Sequence, residues 1–285
     1  MDAERVLVRA SDDELSYFAA RRWADESGRR LYLHVAQQSK HGAWIARDEG
    51  TPIGIAFAHA NDDELYLSEL FVEASFRGAG LGAALLAAAL GEGEEALCAL
   101  LDPLDYAAAS LAVRRGVSLQ EPILRIAGRI PSEEALSALA FGAYRFRAVP
   151  IDPRRDRYAL AALDREARGC ERAGDHELFA SVATGRAIFL DDECVAYAYV
   201  WPDGRVGPLA VGSGAYAAQI FAFALMTSAA QYGATWCTAW VPGRNLRVLN
   251  AARSIGLRID MLRLFAGRMP AAELARYVAY HPLLL

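Results

Sequence analysis

The chain has 285 residues, enough for two domains that each bury a hydrophobic core. Hydrophobic residues make up 54% and charged residues 23%, a balance typical of a soluble globular protein that excludes a disordered one. The formal net charge of −5 argues against a nucleic-acid partner. The four cysteines show no metal-ligand spacing and no apolar signal or membrane segment is evident, so we predict a cytoplasmic protein without metal, disulfide framework or membrane span.

The first half of the chain predicts a run of strands that ends in a helix. Trp44–Arg47 and Ile53–His59 are short apolar segments joined by the turn Asp48-Glu49-Gly50, which indicates a hairpin. Glu64–Val72 predicts a further strand, and the Leu- and Ala-rich segment Leu81–Leu90 predicts a helix. A glycine-rich turn lies between that strand and that helix.

The second half repeats this order. Its predicted strands are Ile188–Leu190, Val195–Trp201 and Arg205–Val211. An Ala-rich helix follows them, as in the first half. A repeat of this length indicates a duplicated domain rather than a small solenoid unit. We therefore predict two domains, residues 1–143 and 144–285, with the strand-like segment Arg145–Ile151 at the start of the second copy.

A second pair of helices supports the duplication. Asp105 opens a predicted helix that ends at Gly116. Asn245 opens another predicted helix of the same length, which ends at Gly256. Asp and Asn are favourable N-caps and Gly is a common helix terminator, so both segments are interpreted as the same element.

A closing motif recurs as well, since Ala127–Pro131 reappears as Ala266–Pro270. Each copy leads into a predicted short helix, Ser132–Ala140 in the first half and Ala271–Tyr280 in the second. Hairpins combined with strand–helix–strand crossovers predict an α/β fold of the mixed α+β kind. Each half is expected to form a mixed, mostly antiparallel sheet flanked by helices.

The glycine-rich turn, Arg77-Gly78-Ala79-Gly80-Leu81-Gly82, is called the glycine loop below. Three glycines at alternate positions let the backbone turn tightly at the start of a helix. Unpaired N–H groups and the helix dipole favour an anion at that place. The loop therefore predicts a site for a phosphate-bearing cofactor, and the alternative is a turn needed only for tight helix–sheet packing.

A dinucleotide is one candidate for that cofactor. Gly78, Gly80 and Ala83 fit the dinucleotide-binding fingerprint, and Asp102 follows at roughly the distance expected of a ribose-binding acid. Against this reading, residues 73–77 separate the loop from its strand, and the strand carries polar side chains where a central parallel strand is usually apolar. A dinucleotide-dependent oxidoreductase is therefore the weaker alternative.

The same segment resembles the acyl-coenzyme A loop of the GNAT N-acetyltransferase superfamily. The family pattern R/Q-x-x-G-x-G/A is matched by Arg77, Gly80 and Gly82. The family also has a later helix with the pattern N-x-x-A-x-x-L-Y-x-x-x-G-F. This chain has the following residues at those spacings: Asp105, Ala108, Leu111, Ala112, Gly116 and Val117. The resemblance covers roughly residues 4–129.

The resemblance implies acetyl-coenzyme A as co-substrate and an amine as acceptor, either a small molecule or a peptide. The strand main chain would pair with the pantetheine amides, and the loop N–H groups would hold the pyrophosphate. The cofactor-binding residues implied in this way are Leu70, Phe71, Val72, Arg77, Gly78, Ala79, Gly80, Leu81, Gly82 and Ala83. The second half has Val211-Gly212-Ser213-Gly214 at the loop position and lacks the arginine, so it resembles a degenerate copy with a structural or substrate-defining role.

Glu69 is the candidate general base. Strand alternation places it on one face with Leu65, Leu67 and Phe71, where desolvation is expected to raise the pKa of its carboxyl group. The alternative is an ion pair with a neighbouring arginine or a place at the sheet edge. The backbone N–H of Phe71 or Val72 is a candidate donor to the thioester carbonyl.

The tyrosine that serves the family as general acid is missing, because Ala112 occupies its position. Tyr106 lies about two turns earlier on the helix and does not take over the role. His59 is interpreted as an exposed turn residue or a water-bridged base, and Ser68 and Cys98 show no local His/Asp pattern typical of a nucleophile. A non-catalytic coenzyme A-binding module is therefore the main alternative to an acetyltransferase.

Overall fold

The computed structural model describes residues 5–61, 64–92, 96–140, 145–267 and 273–284. The strands of the first half are Val6–Arg9 (β1), Trp44–Asp48 (β2), Thr51–Asn61 (β3), Glu64–Val72 (β4), Ala96–Leu101 (β5) and Leu119–Arg129 (β6). Those of the second half are Phe146–Pro150 (β7), Thr184–Leu190 (β8), Glu193–Val200 (β9), Val206–Val211 (β10), Trp236–Pro242 (β11), Arg258–Ala266 (β12) and Tyr277–Val278 (β13).

The helices occur between these strands in the same order in both halves. In the first half they are Asp12–Arg22 (α1), Glu26–Gln37 (α2), Leu81–Leu90 (α3), Tyr106–Arg114 (α4) and Glu133–Ala140 (α5). In the second half they are Arg157–Arg168 (α6), Ala173–Val182 (α7), Ala217–Tyr232 (α8) and Leu246–Ser254 (α9). The predicted mixed α/β fold with two sheets flanked by helices is confirmed. The larger sheet is mixed, since β4 and β5 are parallel, whereas the pairings of the smaller sheet are antiparallel.

Local signals define several of these elements. The carboxylate of Asp105 accepts the backbone N–H of Ala108 at 3.0 Å and so caps α4. The Asn245 side chain accepts the N–H of Val248 at 3.2 Å and caps α9 in the same way. The bounds predicted for the strand Glu64–Val72 agree with β4, and those predicted for the next helix agree with α3.

The two halves exchange a strand. The larger sheet has the order β1-β2-β3-β4-β5-β12-β6-β11, so β12 of the second half lies between β5 and β6 of the first. The smaller sheet has the order β13-β10-β9-β8-β7. The boundary predicted between residues 143 and 144 lies outside the described residues and stays a prediction, but the larger sheet contains strands from both sides of it.

The helix predicted for Ala271–Tyr280 is wrong over its described part. Residues 271–272 lie outside the described residues, Leu274–Arg276 form one turn of 3-10 helix, and Tyr277–Val278 form β13. β13 pairs antiparallel with β10, and both of its side chains are buried. Buried backbone groups need hydrogen-bond partners, and pairing with the edge of β10 supplies them.

Each face of the larger sheet packs against its own helices. α1 and α2 cover one face, where Phe18 and Tyr32 join Phe57 and Tyr66 in a buried cluster that also contains residues of the second half. α3 covers the other face through Leu85. These two layers hold β4 between them and leave its end toward the glycine loop accessible.

Candidate active site

A cleft opens where β4 and β5 diverge. β4 pairs with β3 along its whole length, but it pairs in parallel with β5 only from Glu64 to Leu67. From Ser68 onward the edge of β4 that faces β5 has no strand partner among the described residues. The resulting cleft, called the main cleft below, has a volume of about 470 Å³.

Both halves of the chain line the main cleft. From the first half come Arg22, Trp23, Leu67, Ser68, Glu69, Leu70, Leu86, Leu97, Ala99, Leu100, Leu101, Asp102, Asp105, Ala108, Leu111, Ala112, Val117 and Arg125. From the second half come Trp240, Met261, Arg263, His281, Pro282 and Leu283. The exchanged strand β12 and the C-terminal tail therefore complete a cleft that the first half begins.

A β-bulge reorients β4 at the apex of this cleft, where β4 leaves β5. Phe57 of β3 lies opposite Glu69, but the next residue of β3 lies opposite Leu67, so Ser68 is inserted without a partner. The inserted residue moves Glu69 to the face of Phe57 and Phe71, away from Leu65 and Leu67. The prediction that Glu69 shares a face with Leu65 and Leu67 is therefore wrong, because simple alternation of side chains does not hold across a bulge.

Glu69 is buried, with 7% of its surface exposed, and it is ion-paired. Arg22 of α1 donates from Nη2 to Oε1 at 2.5 Å and from Nε to Oε2 at 3.2 Å, a bidentate arrangement. Burial and the charge of Glu69 raise the pKa of the nearby Tyr32 hydroxyl. The ion pair that the sequence left open is present, and the same carboxylate lines the main cleft.

Successive N–H groups of β4 point in turn toward β3 and toward the open edge of the strand. The N–H of Glu73 donates to Ile53 of β3 at 2.8 Å, so Phe71, two residues earlier, also directs its N–H toward β3. Leu70 and Val72 then direct their N–H groups to the open side. Of the two donors considered from sequence, Val72 directs its N–H to the open edge of β4 and Phe71 does not.

The glycine loop adopts a backbone that only glycine accepts easily. Gly78 and Gly80 have φ of 85° and 81°, and a Cβ atom on either would meet no atom within 4 Å. Their side of the loop is therefore open rather than packed. The N–H groups of residues 78 to 83 donate to no acceptor within the described ranges. Arg77 holds the loop against the strand, since its Nε donates to the carbonyl of Val72 at 3.0 Å.

These features fit a pyrophosphate group. Six consecutive N–H groups precede or begin α3, where the helix dipole favours a negative charge. Ala79 and Ala83 are exposed beside them, while Leu81 is buried against Leu85 and anchors the helix. The predicted cofactor residues thus lie along one path, from the open edge of β4 to the start of α3.

The position of the missing general acid lies inside the main cleft. Ala112 is buried and lines it, so a methyl group stands where the family tyrosine is expected. Tyr106 is 74% exposed on the outer side of α4. Within the described lining of the main cleft no tyrosine takes its place.

Ser68 and His59 form a pair that sequence reasoning missed. His59 Nδ1 lies 2.8 Å from the Oγ of Ser68, the bulge residue, and His59 is only 7% exposed rather than an exposed turn residue. The fold therefore gives Ser68 a histidine partner that no local sequence pattern indicated. The predicted β3–β4 hairpin could have indicated this pair, because its register places His59 opposite Tyr66, two residues before Ser68. Cys98 is buried, and burial raises the pKa of its thiol well above the usual range.

The corresponding groove of the second half is closed by the chain itself. Within the described residues, one parallel bridge between Arg205, just before β10, and Thr238 of β11 joins these two strands. β13 then pairs with β10, and the N–H of Ala279 donates to Trp240 of β11 at 2.8 Å. The C-terminal tail (residues 280–284) continues to the main cleft, where Pro282 accepts a hydrogen bond from Tyr66 at 2.5 Å.

Neither a metal cluster nor a membrane helix is found in the described ranges. No group of three or more His, Cys, Asp or Glu side chains there is arranged to hold a metal ion. No helix in those ranges combines the length and apolar character needed to cross a bilayer.

Comparison with known proteins agrees with this geometry. Residues 8–116 match the model of the Acetyltransferase (GNAT) family. No curated protein matches the chain by sequence.

Solved structures with similar folds span nearly the whole chain. A candidate acetyltransferase from Pyrococcus horikoshii has a TM-score of 0.76 at 13% identity, over 99% of this chain and 96% of its own. A tandem GNAT protein from the clavulanic acid biosynthesis pathway has a TM-score of 0.63 at 17% identity, over 93% and 98%. A GCN5-related N-acetyltransferase from Sphaerobacter thermophilus has a TM-score of 0.60 at 15% identity, over 93% and 95%. At these identities the likeness establishes the fold.

Proposed function

We propose that this chain, whose residues 8–116 match the GNAT family model and whose fold is similar to that of a tandem GNAT protein, transfers an acetyl group from acetyl-coenzyme A to an amine in the main cleft. The observation that carries this proposal is the continuity of the open edge of β4 with the unpaired N–H groups of the glycine loop. The first suits the amides of pantetheine and the second suits a pyrophosphate. Acetyl-coenzyme A requires both along one path, because its thioester arm and its pyrophosphate belong to one extended molecule.

The bound thioester carbonyl would accept a hydrogen bond from the N–H of Leu70 or Val72 on the open edge of β4. Such a donor stabilises the negative charge that develops on oxygen in the transition state. Glu69, on the face covered by α1 and α2, would receive a proton from the acceptor ammonium ion, with Arg22 holding the carboxylate in place. The amine nitrogen then bonds to the carbonyl carbon, and the C–S bond breaks with its electron pair on sulfur.

The acceptor is a small-molecule or peptide amine that enters the main cleft beside the contact between the end of α1 and the C-terminal tail. Trp23 and His281 face each other there with ring centroids 4.3 Å apart. Burial, together with the nearby Arg205, lowers the pKa of His281 well below its usual value, so that side chain is neutral near pH 7. A neutral aromatic wall beside Glu69 suits an amine with an apolar body. We place the reaction in the cytoplasm, in keeping with four free cysteines.

Ligand-dependent melting tests the cofactor assignment. We expect acetyl-coenzyme A to raise the melting temperature and NAD or NADP to leave it unchanged. At a hundred times its dissociation constant the ligand adds about 2.7 kcal/mol to the free energy of unfolding. Asp102, the acid that the dinucleotide alternative needs, already pairs with Arg263 at 2.6 Å. Stabilisation by NAD alone would overturn the assignment.

The closed groove of the second half leads to a separate prediction. Because β13 and Ala279 occupy the space between β10 and β11, we expect one coenzyme A per chain rather than two. Isothermal titration calorimetry with coenzyme A measures this ratio directly. Two equivalent sites per chain would show that the tail does not block the second groove.

Ala112 favours a second candidate function, a coenzyme A-binding module without turnover. A methyl group cannot protonate the departing thiolate, and a domain that only binds the cofactor has no need of an acid there. The two functions separate in a free-thiol assay, because only an acetyltransferase releases coenzyme A thiol faster when an amine is added.

A further inference from the structure

The proposed transfer leaves one proton unassigned. An ammonium acceptor loses two protons on the way to an amide, one before it attacks and one after the C–N bond has formed. Glu69 accounts for the first. The second has to leave nitrogen, and the thiolate has to gain a proton, yet Ala112 offers neither an acceptor nor a donor.

Ser68 lies where both of those transfers take place. It is the first residue of β4 beyond the paired segment, so it lies at the apex of the main cleft. The bulge directs its side chain to the face that also carries Glu69, and its Oγ contacts His59 Nδ1 at 2.8 Å. A hydroxyl in this place would lie beside a thioester bound along the open edge of β4.

His59 lies in surroundings that favour its acting as a base. Asp175 of α7 is buried, and burial raises the pKa of its carboxyl group. The hydrogen bond from His34 and the charges of Arg172 and His59 outweigh burial, so this pKa lies below its usual range. A carboxylate that stays ionised stabilises a positive charge on a nearby imidazole. The other titratable or charged groups facing this region are Tyr66, whose ring centroid lies 5.2 Å from that of His59, and Arg168.

We propose that Ser68 and His59 form a proton relay that takes the second proton from the acceptor nitrogen and returns it to the departing sulfur. The nitrogen proton moves to Ser68 Oγ while the hydroxyl proton moves to His59 Nδ1. As the C–S bond breaks, the same path in reverse protonates the thiolate, so the relay ends in its starting state. The pair thereby supplies the acid that Ala112 lacks. This inference rests on the proposed acetyl transfer.

Three variants test the relay: Ser68→Ala, His59→Gln and the double variant. The assay follows free thiol from acetyl-coenzyme A with hydroxylamine, tryptamine, spermidine and glucosamine as probe acceptors. Each single variant is expected to lower kcat by about 10²–10⁴-fold while coenzyme A affinity is kept. The double variant should lose no more than one single variant, because the two groups act as a unit. Each single variant should also change the shape of the kcat–pH profile.

The controls separate a chemical from a structural role. Ser254→Ala removes an exposed hydroxyl on α9, outside the main cleft, and should leave kcat unchanged. Ser68→Thr keeps a hydroxyl and should restore part of the rate. Equal kcat values and equal pH profiles for wild type and Ser68→Ala would overturn the relay. An acetyl group found on Ser68 in a quenched reaction would also overturn it, because Ser68 would then be a nucleophile. Absence of thiol release by the wild type itself would overturn the transfer, and the relay with it, before any variant is compared.

Discussion

Gly80→Asp is expected to abolish coenzyme A binding. The φ of 81° at this position strains any residue with a side chain, Asp less than most, and a Cβ there meets no protein atom within 4 Å, so the strain is confined to the loop. The new carboxylate would occupy the open side of the glycine loop and repel the pyrophosphate. Calorimetry with coenzyme A measures the loss, and circular dichroism checks that the variant is folded.

Gly214→Asp is the matched control. Gly214 lies in the corresponding loop segment of the second half, at the start of a 3-10 turn before α8, and a Cβ atom added there would also meet no atom within 4 Å. Unlike Gly80 it has no positive φ, so it controls for the added charge and not for backbone strain. Because the groove beside it is closed by β13, this variant should bind coenzyme A like the wild type. Normal binding by Gly80→Asp, or loss of binding by Gly214→Asp, would show that the first glycine loop is not the site.

Glu69→Gln is expected to lower kcat/KM by about 10²–10⁴-fold, the usual worth of a positioned general base. Coenzyme A affinity should be kept, because backbone groups hold the cofactor. The loss should shrink as pH rises, since free amine then becomes abundant without help from the enzyme. A pH series of kcat/KM from about pH 6 to 9, read through thiol release, measures both effects.

Glu121→Gln controls for the loss of a buried ion pair. Glu121 is 6% exposed and pairs with Arg244 at 3.0 Å, much as Glu69 pairs with Arg22, but it does not line the main cleft. We expect this variant to keep its kcat/KM even if its melting temperature falls. Equal rates for wild type and Glu69→Gln across the pH series would remove Glu69 from the mechanism.

Local patterns in the sequence were sufficient for the elements that carry the cofactor site. Alternating residues and a following glycine loop placed β4, and the Leu/Ala-rich segment placed α3, with the bounds found in the structure. Asp105 and Asn245 were identified as caps because capping needs only the residue and the N–H groups next to it. Such features depend on neighbours along the chain.

Features that depend on distant partners were not predictable. The bulge at Ser68 exists only in the pairing of β4 with β3, and it changes the face on which Glu69 lies. The exchange of β12 between β5 and β6 leaves no local pattern, because an exchanged strand has the same alternation as one that stays in its own half. Arg22 and His59 contact the site from another helix and another strand, so their roles appeared only with the fold.

The central claim is acetyl transfer to an amine, and product stoichiometry tests it most directly. The measurement follows free coenzyme A thiol and acetylated amine together, by absorbance and mass spectrometry, after acetyl-coenzyme A is mixed with the protein and each probe amine. We predict equal amounts of the two products, formed faster than without protein. Tight binding of acetyl-coenzyme A with neither product above background would contradict the account and identify the main cleft as a coenzyme A-binding site without turnover.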